Sequence, residues 1–325
     1  MKVLIIGSNS FTARSFINLC LQKKYIVIGV SRSKLYKNDD FNFSNRNFKF
    51  YRIDVNKKFE KLKAIINLCK PNVIINYTAQ GEVRNSWKYP EHWYKTNFEF
   101  VFKLSNFLVE KKYLKKFIQI STPEVYGSIE KKIEPVLFFN PSTPYAVSKT
   151  AADLHLNSLY KRYKFPVVYT RSTNVYGPGQ QLFRIIPKSI ILLMNKKKIT
   201  LNNLGNTKRD FVHVNDVARF TMKCIKMGKI GSAYHCSSLN PPKKISFLVK
   251  LICKKLKLDF RKFVKLTKEN FGQDQCYYIS SKKTIKDLKW KPEININKGI
   301  DETISWVLKN FTRLRNKNLN YKHLR

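Results

Sequence analysis

The sequence predicts a doubly wound α/β fold, a parallel sheet with helices on both faces, followed by a smaller and discontinuous second lobe. In the first half of the chain, short apolar runs alternate with longer amphipathic stretches. Most of these runs are apolar throughout, as expected for parallel strands that are covered on both faces. The first run leads directly into a turn that begins with Gly7. Alternation of this kind is typical of doubly wound sheets.

The apolar runs in the first half are candidate strands. They are Val3–Ile6, Tyr25–Val30, Phe48–Ile53, Val73–Tyr77, Phe117–Ile120 and Pro166–Thr170. The amphipathic stretches between them are candidate helices, namely Phe11–Gln22, Phe59–Cys69, His92–Lys111 and Ala146–Tyr163. In the last of these helices, one face at helical spacing carries Ala152, Leu156, Leu159, Tyr160 and Tyr163.

The pattern loosens after Tyr176, where the run Gly177–Gly179 indicates a turn. Beyond it we expect strands at 197–201 and 231–237, and helices at Ile185–Met194, Val214–Met227, Ile245–Leu256, Thr284–Leu288 and Gly299–Asn310. We therefore predict one α/β domain over residues 1–176, with a return segment near 208–237, and a discontinuous lobe over 177–311. Residues 312–325 contain no acid, and we expect them to form a solvated basic tail.

The composition narrows the class of protein. The chain has 325 residues, of which 43% are hydrophobic, enough for a sizeable core and too many for a disordered chain. The net charge of +42 is spread along the chain, so we favour a lysine-rich enzyme over a nucleic-acid-binding protein. No apolar run approaches the roughly 18–20 residues that span a membrane, and the N-terminal run is too short for an export signal. The six scattered cysteines predict reduced thiols and a cytoplasmic location.

The first strand leads into a turn of small residues, from Gly7 through Ser10 to Ala13. This is the G-x-x-G-x-x-G layout, with serine and alanine at its second and third positions. Small residues there let backbone N–H groups and the N-terminus of the next helix approach a pyrophosphate. We predict a dinucleotide site at Gly7, Ser10, Phe11, Thr12 and Ala13, and the alternative is a tight turn without a ligand.

The ends of the second and third strands carry residues suited to the adenosine end of a dinucleotide. Ser31 and Arg32 stand where NAD-binding sites usually have an acid for the ribose 2′-hydroxyl. A cation beside hydroxyls suits a 2′-phosphate, so we favour NADP over NAD, and the alternative is that Arg32 is only solvated. Asp54 and Val55 follow the third strand and are placed to meet the adenine, although Asp54 could equally cap a helix.

Tyr145 and Lys149 are four residues apart at the start of a predicted helix, and they therefore share one helical face. A lysine ammonium beside a phenol stabilises the phenolate and lowers the pKa of the phenol. Tyr145 can then act as a base on a substrate hydroxyl, and Lys149 can also hold the nicotinamide ribose. Ser121 and Thr122 on an upstream strand strengthen the prediction of a catalytic site.

These motifs resemble those of the extended short-chain dehydrogenase/reductase superfamily. The matching segments are Gly7–Ala13, Ser121–Thr122, the pair Tyr145 and Lys149, Arg171–Gly179 and Arg209–Val217. The resemblance covers almost the whole chain, from Met1 to about Phe311. Within the superfamily the chain is most similar to the nucleotide-sugar 4,6-dehydratases, through the segments Ala79–Ser86 and Ser121–Gly127. The resemblance implies a Rossmann-type NAD(P)-binding domain and a C-terminal lobe that binds a nucleotide-diphosphate hexose.

The similarity to the dehydratases implies catalytic roles for Thr122, Glu124, Tyr145 and Lys149. A 4,6-dehydratase oxidises the C4 hydroxyl, eliminates water across C5 and C6, and returns the hydride to C6. Glu124 matches the base that removes the C5 proton, which an epimerase does not need, and the alternative is a surface glutamate at a strand end. The dTDP-glucose dehydratases have an acid where this chain has Pro123. Glu124 would therefore both take the C5 proton and protonate the C6 hydroxyl, as in the GDP-mannose dehydratases.

The same resemblance implies further contacts with the two ligands. The matching cofactor residues are Ala79, Gln80 and Asn97, the last with a structural and proton-relay role. The matching substrate residues are Glu82, Asn174 in the turn after the sixth strand, and Arg209 on the diphosphate. Arginine suits a phosphate because its planar fork donates two hydrogen bonds. The family's second phosphate arginine is missing from residues 270–274, so Arg184 or Lys188 is the candidate replacement.

The competing hypotheses are a nucleotide-sugar C4-epimerase or 4-ketoreductase, and a non-catalytic regulator that keeps the fold. We favour a dehydratase that makes a 4-keto-6-deoxy sugar for surface glycans. His92, His213 and His235 lie in no metal-ligand motif, so we expect structural roles for them and no metal site. We also expect neither a nucleic-acid partner nor a membrane span. As is common in the superfamily, a homodimer or higher oligomer should form through His92–Lys111 and Ala146–Tyr163.

Overall fold

A seven-stranded parallel sheet lies at the centre of the N-terminal domain in the computed structural model, which describes residues 1–35, 45–269 and 274–323. The strands are β1 (Lys2–Ile6), β2 (Ile26–Ser31), β3 (Phe48–Arg52), β4 (Val73–Asn76), β5 (Lys116–Ile120), β6 (Ile129–Ile133), β7 (Val167–Ser172), β8 (Asn174–Tyr176), β9 (Ile199–Leu201), β10 (Lys208–Arg209), β11 (Phe211–His213), β12 (Ala233–Cys236), β13 (Lys243–Lys244), β14 (Val264–Leu266) and β15 (Tyr277–Ile279).

The helices surround this sheet and build the second lobe. They are α1 (Phe11–Gln22), α2 (Phe59–Cys69), α3 (Val83–Ser86), α4 (Pro90–Trp93), α5 (Phe100–Leu108), α6 (Pro144–Tyr163), α7 (Ile185–Met194), α8 (Val214–Met227), α9 (Ile245–Lys255), α10 (Phe260–Phe263), α11 (Lys282–Leu288), α12 (Ile296–Lys309) and α13 (Phe311–Leu314). A π-helical turn (Tyr94–Glu99) joins α4 to α5, and two 3₁₀ turns cover Pro123–Tyr126 and Asn203–Gly205. No helix in the described ranges is long and apolar enough to cross a membrane.

The order of the main sheet places a crevice beside β1. That order is β12, β7, β5, β4, β1, β2, β3, with every pair parallel. The chain leaves β1 for β2 on one side and returns on the other side at β4, so the strand order reverses between β1 and β4. Open α/β sheets bind ligands outside the carboxyl ends of the strands at such a point. The turn at Gly7 follows β1 there, and Thr78 follows β4.

Successive side chains of β1 pack on opposite faces of the sheet. Val3 and Ile5 contact the layer formed by α1 and α8, whereas Leu4 and Ile6 contact the layer formed by α2, α5 and α6. All four side chains are fully buried. Burial of such a side chain stabilises the fold by about 1.5–3 kcal/mol, which explains why the strands are apolar without interruption.

The second lobe has its own apolar core. Ile190 of α7, Ile252 of α9 and Ile300 of α12 are fully buried together there. The short parallel pairs β8–β11 and β9–β14 contribute cavity-lining residues, among them Asn174, Thr200 and Phe211. Between the lobes is a cavity of about 580 Å³.

Two regions differ from the sequence-based expectations. The predicted helix His92–Lys111 differs in its bounds: helical backbone runs without a break from Pro90 to Leu108 and contains the π-helical turn in its middle. The expected solvated tail is packed in part: its described lysines and arginines are exposed, but α13 covers Phe311–Leu314, and Leu314 is buried in the core of the second lobe. Its basic composition concealed the apolar side chains that hold it in place.

Candidate active site

The turn after β1 fits the pyrophosphate of a dinucleotide. Gly7 has a φ of +81°, and a Cβ there would lie 2.8 Å from the backbone of Tyr77 and Thr78, so only glycine is accommodated. Ser10 caps α1 by accepting the N–H of Ala13 at 3.4 Å, and its neighbours Phe11 and Thr12 also line the cavity. The N-terminus of α1 therefore opens into the cavity, and this end of a helix attracts phosphate.

A buried hydroxyl beside this turn supports the same assignment. Ser8 Oγ is buried and has no hydrogen-bond partner among the described residues. A buried polar group without a partner is unfavourable unless a ligand or water satisfies it. Ala13 is fully buried against the core, so the third small position of the motif serves close packing of the helix.

The residues predicted for the adenosine end lie at the carboxyl ends of β2 and β3. Ser31 is the last residue of β2, and the exposed Arg32 follows it. Asn9 Nδ2 donates to Ser33 Oγ at 2.7 Å and thereby ties this loop to the turn after β1. Asp54 Oδ1 accepts from the N–H of Asn56 at 3.0 Å.

The alternative that Asp54 caps a helix is wrong. Helix α2 begins at Phe59, and its N-cap is Lys58, four residues after Asp54. The side chain of Asp54 closes a turn instead, and the next residue, Val55, is buried against the core.

Asn97 holds the segment after β4 in place from the π-helical turn. Its Oδ1 accepts from the N–H of Gln80 at 2.9 Å, and its Nδ2 donates to Gln80 O at 3.1 Å and to Ser148 Oγ at 3.0 Å. Asn97 is fully buried and does not line the cavity. Ala79 next to Gln80 is exposed. A π-helical turn of this kind often marks a functional site.

Thr122, Glu124 and Tyr145 converge on one wall of the cavity. Thr122 caps the 3₁₀ turn after β5 and accepts the N–H of Glu124 at 3.4 Å. Tyr145 lies in the first turn of α6, which Thr143 caps, and its hydroxyl hydrogen-bonds the Thr122 side chain. The two turns therefore bring hydroxyl, carboxyl and phenol groups together. Glu124 lies inside the cavity and not on the outer surface.

The carboxyl of Glu124 is suited to proton transfer. Burial raises its pKa, and the cations Arg209 and Arg184 oppose that effect only in part. A raised pKa makes the carboxylate a stronger base, which favours its taking up a proton and passing it on.

Lys149 lies one turn after Tyr145 in α6, where it is buried and does not line the cavity. Its Nζ donates to Ile120 O at 2.6 Å, and burial lowers its pKa to about 8. The expected lowering of the Tyr145 pKa by Lys149 differs from the structure. Burial raises the pKa of Tyr145, Glu124 raises it further, and the hydrogen bond from Thr122 opposes both.

The predicted substrate residues divide into three groups. Asn174, Arg184 and Arg209 line the cavity, and Asn174 begins β8 and so does not lie in a turn. Glu82 also lines the cavity, but its carboxylate caps α3 by accepting the N–H groups of Arg84 and Asn85. Lys188 does not line the cavity, because it lies one turn inside α7. The family's second phosphate arginine would stand within 270–274, of which residues 270–273 lie outside the described residues.

Arg209 is held rigidly at the floor of the cavity. Its two Nη atoms donate to the backbone carbonyls of Lys208, Gln275 and Asp274 at 2.8, 3.2 and 2.8 Å. Its guanidinium carbon lies 4.5 Å from the centre of the Tyr277 ring. This packing fixes the positive charge without neutralising it, as an anionic substrate requires.

One group of residues was missed in the sequence. Asp153 Oδ2 accepts from Ser121 Oγ at 2.6 Å and from Arg171 Nη2 at 2.8 Å, and Arg171 Nη1 donates to the Tyr126 hydroxyl at 2.8 Å. This network fixes Ser121, directly before Thr122, one of the predicted catalytic residues. The available signal was that Asp153 follows Lys149 by four residues and shares its helical face.

The histidines make structural contacts. His213 caps α8 by accepting the N–H of Asn215, and burial lowers its pKa to about 4. His235 hydrogen-bonds the Tyr126 hydroxyl at 2.9 Å and the carbonyl of Ser280 at 3.1 Å. Within residues 1–35, 45–269 and 274–323, no group of three or more His, Cys, Asp or Glu side chains could hold a metal ion.

Comparison with known proteins gives a consistent result. Residues 3–236 match the sequence model of the NAD dependent epimerase/dehydratase family. The dTDP-D-glucose 4,6-dehydratase of Bos taurus is 30% identical over 97% of this chain and 91% of its own length. The crystal structure of dTDP-glucose 4,6-dehydratase from Bacillus anthracis in complex with NAD is 27% identical, covers 96% of this chain and 98% of its own, and has a TM-score of 0.86. The crystal structure of the UDP-glucose 4-epimerase of Thermotoga maritima is 23% identical and covers 96% of this chain and 100% of its own. Its TM-score is also 0.86, so this epimerase shares the fold.

Proposed function

The chain belongs to the NAD dependent epimerase/dehydratase family, and we propose that it is a nucleotide-sugar 4,6-dehydratase. The reaction converts a nucleotide-diphosphate hexose into its 4-keto-6-deoxy derivative and water. The observation that carries the proposal is Glu124, a carboxyl with a raised pKa inside the cavity, beside Thr122 and Tyr145. Oxidation at C4 needs a hydride acceptor and one base for the hydroxyl proton, whereas loss of water across C5 and C6 needs a further base and an acid.

The first half of the reaction is an oxidation. A nicotinamide dinucleotide held at the turn of Gly7 and the N-terminus of α1 would supply the acceptor for the C4 hydride and the source of the hydride for C6. Tyr145 accepts the proton of the C4 hydroxyl, and Thr122 holds the same oxygen by a hydrogen bond. Lys149 follows Tyr145 by one turn of α6 on the same helical face, and its positive charge would stabilise the phenolate that forms.

The second half is an elimination that Glu124 carries out. The C4 ketone acidifies the C5 proton, and Glu124 removes it while the C6–O bond breaks. Because Pro123 has no acid to offer, Glu124 then delivers its proton to the leaving hydroxyl, which departs as water. When the hydride returns to C6, C5 regains a proton, and this balances the proton that Tyr145 took from the C4 hydroxyl.

The loop after β2 bears on which of the two dinucleotides, NAD or NADP, the protein prefers. Arg32 is exposed directly after β2, beside Ser31 and the anchored Ser33. A guanidinium there suits the 2′-phosphate of NADP. We therefore propose binding of NADP in preference to NAD.

We also propose an oligomeric state and a cellular location for the protein. Exposed apolar side chains, 37–50% accessible, occur on the π-helical turn and on α5 and α6, namely Tyr94, Phe102, Val147 and Leu154. They support a homodimer through these helices. The six cysteines are free thiols, which supports a reducing, cytoplasmic location.

Mass spectrometry of the products tests the activity. The purified protein is incubated with GDP-mannose, dTDP-glucose, UDP-GlcNAc and CDP-glucose, with NAD⁺ and NADP⁺ in separate reactions. We expect one substrate to lose one water, and Glu124→Gln to abolish this loss. Glu134→Gln, on an exposed residue outside the cavity, is the matched control and should be fully active. A substrate that isomerises, or is reduced with consumption of NADPH, would instead establish an epimerase or a ketoreductase.

A further inference from the structure

Residues 315–323 run from the second lobe to the N-terminal domain. At the start of this segment, Asn195 Nδ2 donates to the carbonyl of Arg315 at 3.2 Å, at the end of α7. Leu319 packs against the apolar core of the second lobe. The segment then leaves that lobe and ends against α4 of the N-terminal domain.

His323 is enclosed by aromatic rings at that end. Its ring stacks on those of Tyr89, His92 and Trp93, with centroid distances of 5.2, 5.0 and 5.2 Å. His92 Nδ1 and His323 Nε2 lie 2.7 Å apart, so one ring donates a hydrogen bond to the other. Stacked contacts of this kind are specific attachments and not casual surface contacts.

Between these two anchors the segment passes the mouth of the cavity. The ring of Tyr321 packs edge-on against Phe183 at 5.1 Å, and Phe183 lines the cavity. The hydroxyl of Tyr321 is within electrostatic reach of Glu82, Arg32 and Arg184. Glu82 and Arg184 line the cavity, and Arg32 follows the strand at the proposed adenosine end. Tyr321 therefore lies between the dinucleotide side and the substrate side of the opening.

We infer that residues 319–323 form a strap across the cavity mouth that retains the bound nicotinamide dinucleotide between turnovers. The inference rests on the proposed function, in which the hydride that leaves C4 returns to C6 of the same sugar. Such a reaction consumes no reducing equivalents, so the dinucleotide never has to leave. A closure fixed by ring contacts at both lobes slows its release, while the sugar exchanges in every cycle.

The experiment measures the release rate of NADPH and of NADH by stopped-flow fluorescence, with excess NADP⁺ or NAD⁺ as competitor. Two variants remove the strap: a chain that stops after Asn318, and Tyr321→Ala combined with His323→Ala. Lys322→Ala, on the exposed residue between them, is the matched control. We expect both strap variants to release the dinucleotide about tenfold faster or more, and the control to stay within about twofold. With saturating dinucleotide, kcat should change by less than about twofold.

Three results would overturn the inference. Release rates that are equal in all variants mean that the strap does not retain the dinucleotide. A changed KM for the nucleotide sugar, with unchanged release rates, means that the segment shapes the substrate site instead. If the unaltered protein binds neither dinucleotide, the proposed function fails together with the strap. If it binds a dinucleotide and the strap variants release it at the same rate, only the strap inference fails and the proposed function stands.

Discussion

Replacing Asp153 by asparagine should destabilise the protein much more than the same change at the exposed Asp301. Asp153 and Arg171 form an ion pair at 2.8 Å whose side chains are each only 1% exposed. The substitution keeps the size of the side chain and removes its charge. It leaves the buried guanidinium of Arg171 without a counter-ion, and it weakens the hydrogen bond from Ser121.

The magnitude follows from this burial. Removing one partner of a buried ion pair typically lowers the free energy of unfolding by about 3–5 kcal/mol. That is a large part of the about 5–15 kcal/mol by which a native domain is stable. Asp301 is 59% exposed and pairs with Lys255 at 2.7 Å, so its replacement should lower the same free energy by about 1 kcal/mol or less.

Urea unfolding, followed by circular dichroism, measures both variants against the unaltered protein. A third variant, Asp153→Leu with Arg171→Met, removes both charges and should be more stable than Asp153→Leu alone. The reasoning is refuted if Asp153→Asn and Asp301→Asn lower the free energy of unfolding by the same amount. It is also refuted if the double replacement is no better than the single one.

Three further predictions concern the dinucleotide turn, its specificity and the pH dependence of stability. Gly7→Ala should raise the Kd of the dinucleotide, measured by calorimetry, at least about tenfold, because a Cβ there would meet the backbone after β4 at 2.8 Å. Gly81→Ala is the control and should leave the Kd unchanged, because a Cβ at Gly81 has open space around it. Arg32→Ala should weaken NADP⁺ binding by about ten- to a hundredfold and leave NAD⁺ binding nearly unchanged, and equal losses would contradict the proposed 2′-phosphate contact. Burial lowers the pKa of His213 to about 4 in the folded protein, against 6.5 for an ordinary histidine. Between these two pH values the unfolded state binds more protons than the folded state. The free energy of unfolding should therefore fall as the pH drops from 6.5 to 4. His213→Asn, which keeps a capping side chain, should flatten this part of the urea-measured stability profile, and an unaltered slope would contradict the cause assigned to it.

Periodic patterns in the sequence were sufficient for most of the regular elements. The bounds of α1, Phe11–Gln22, and of α8, Val214–Met227, agree with the prediction at both ends. Both helices have one apolar face that packs on the sheet, and that face appears as a helical repeat. The turn at Gly7 was recognisable for a similar reason, since its backbone conformation restricts the residue type locally.

The features that were missed depend on partners far away in the chain. The π-helical turn accompanies the contact of Asn97 with Gln80, seventeen residues earlier, and no local pattern contains that contact. Asp153 and Arg171 are charged residues in a lysine-rich chain, where solvation is the ordinary expectation. Only tertiary structure shows that they are buried against each other.

The return of the chain to the main sheet has a consequence for the order in which the protein can fold during synthesis. Strand β12 pairs with β7 at the edge of the sheet, and α8 covers the face of α1 with Phe220 and Ile225. Trp290 completes the same apolar layer. A ribosome-bound chain that has emerged only to residue 176 therefore exposes both an unpaired strand edge and an apolar helix face. Exposed surfaces of this kind promote aggregation, and both are covered only after about 60 further residues, when β12 has been made to Cys236.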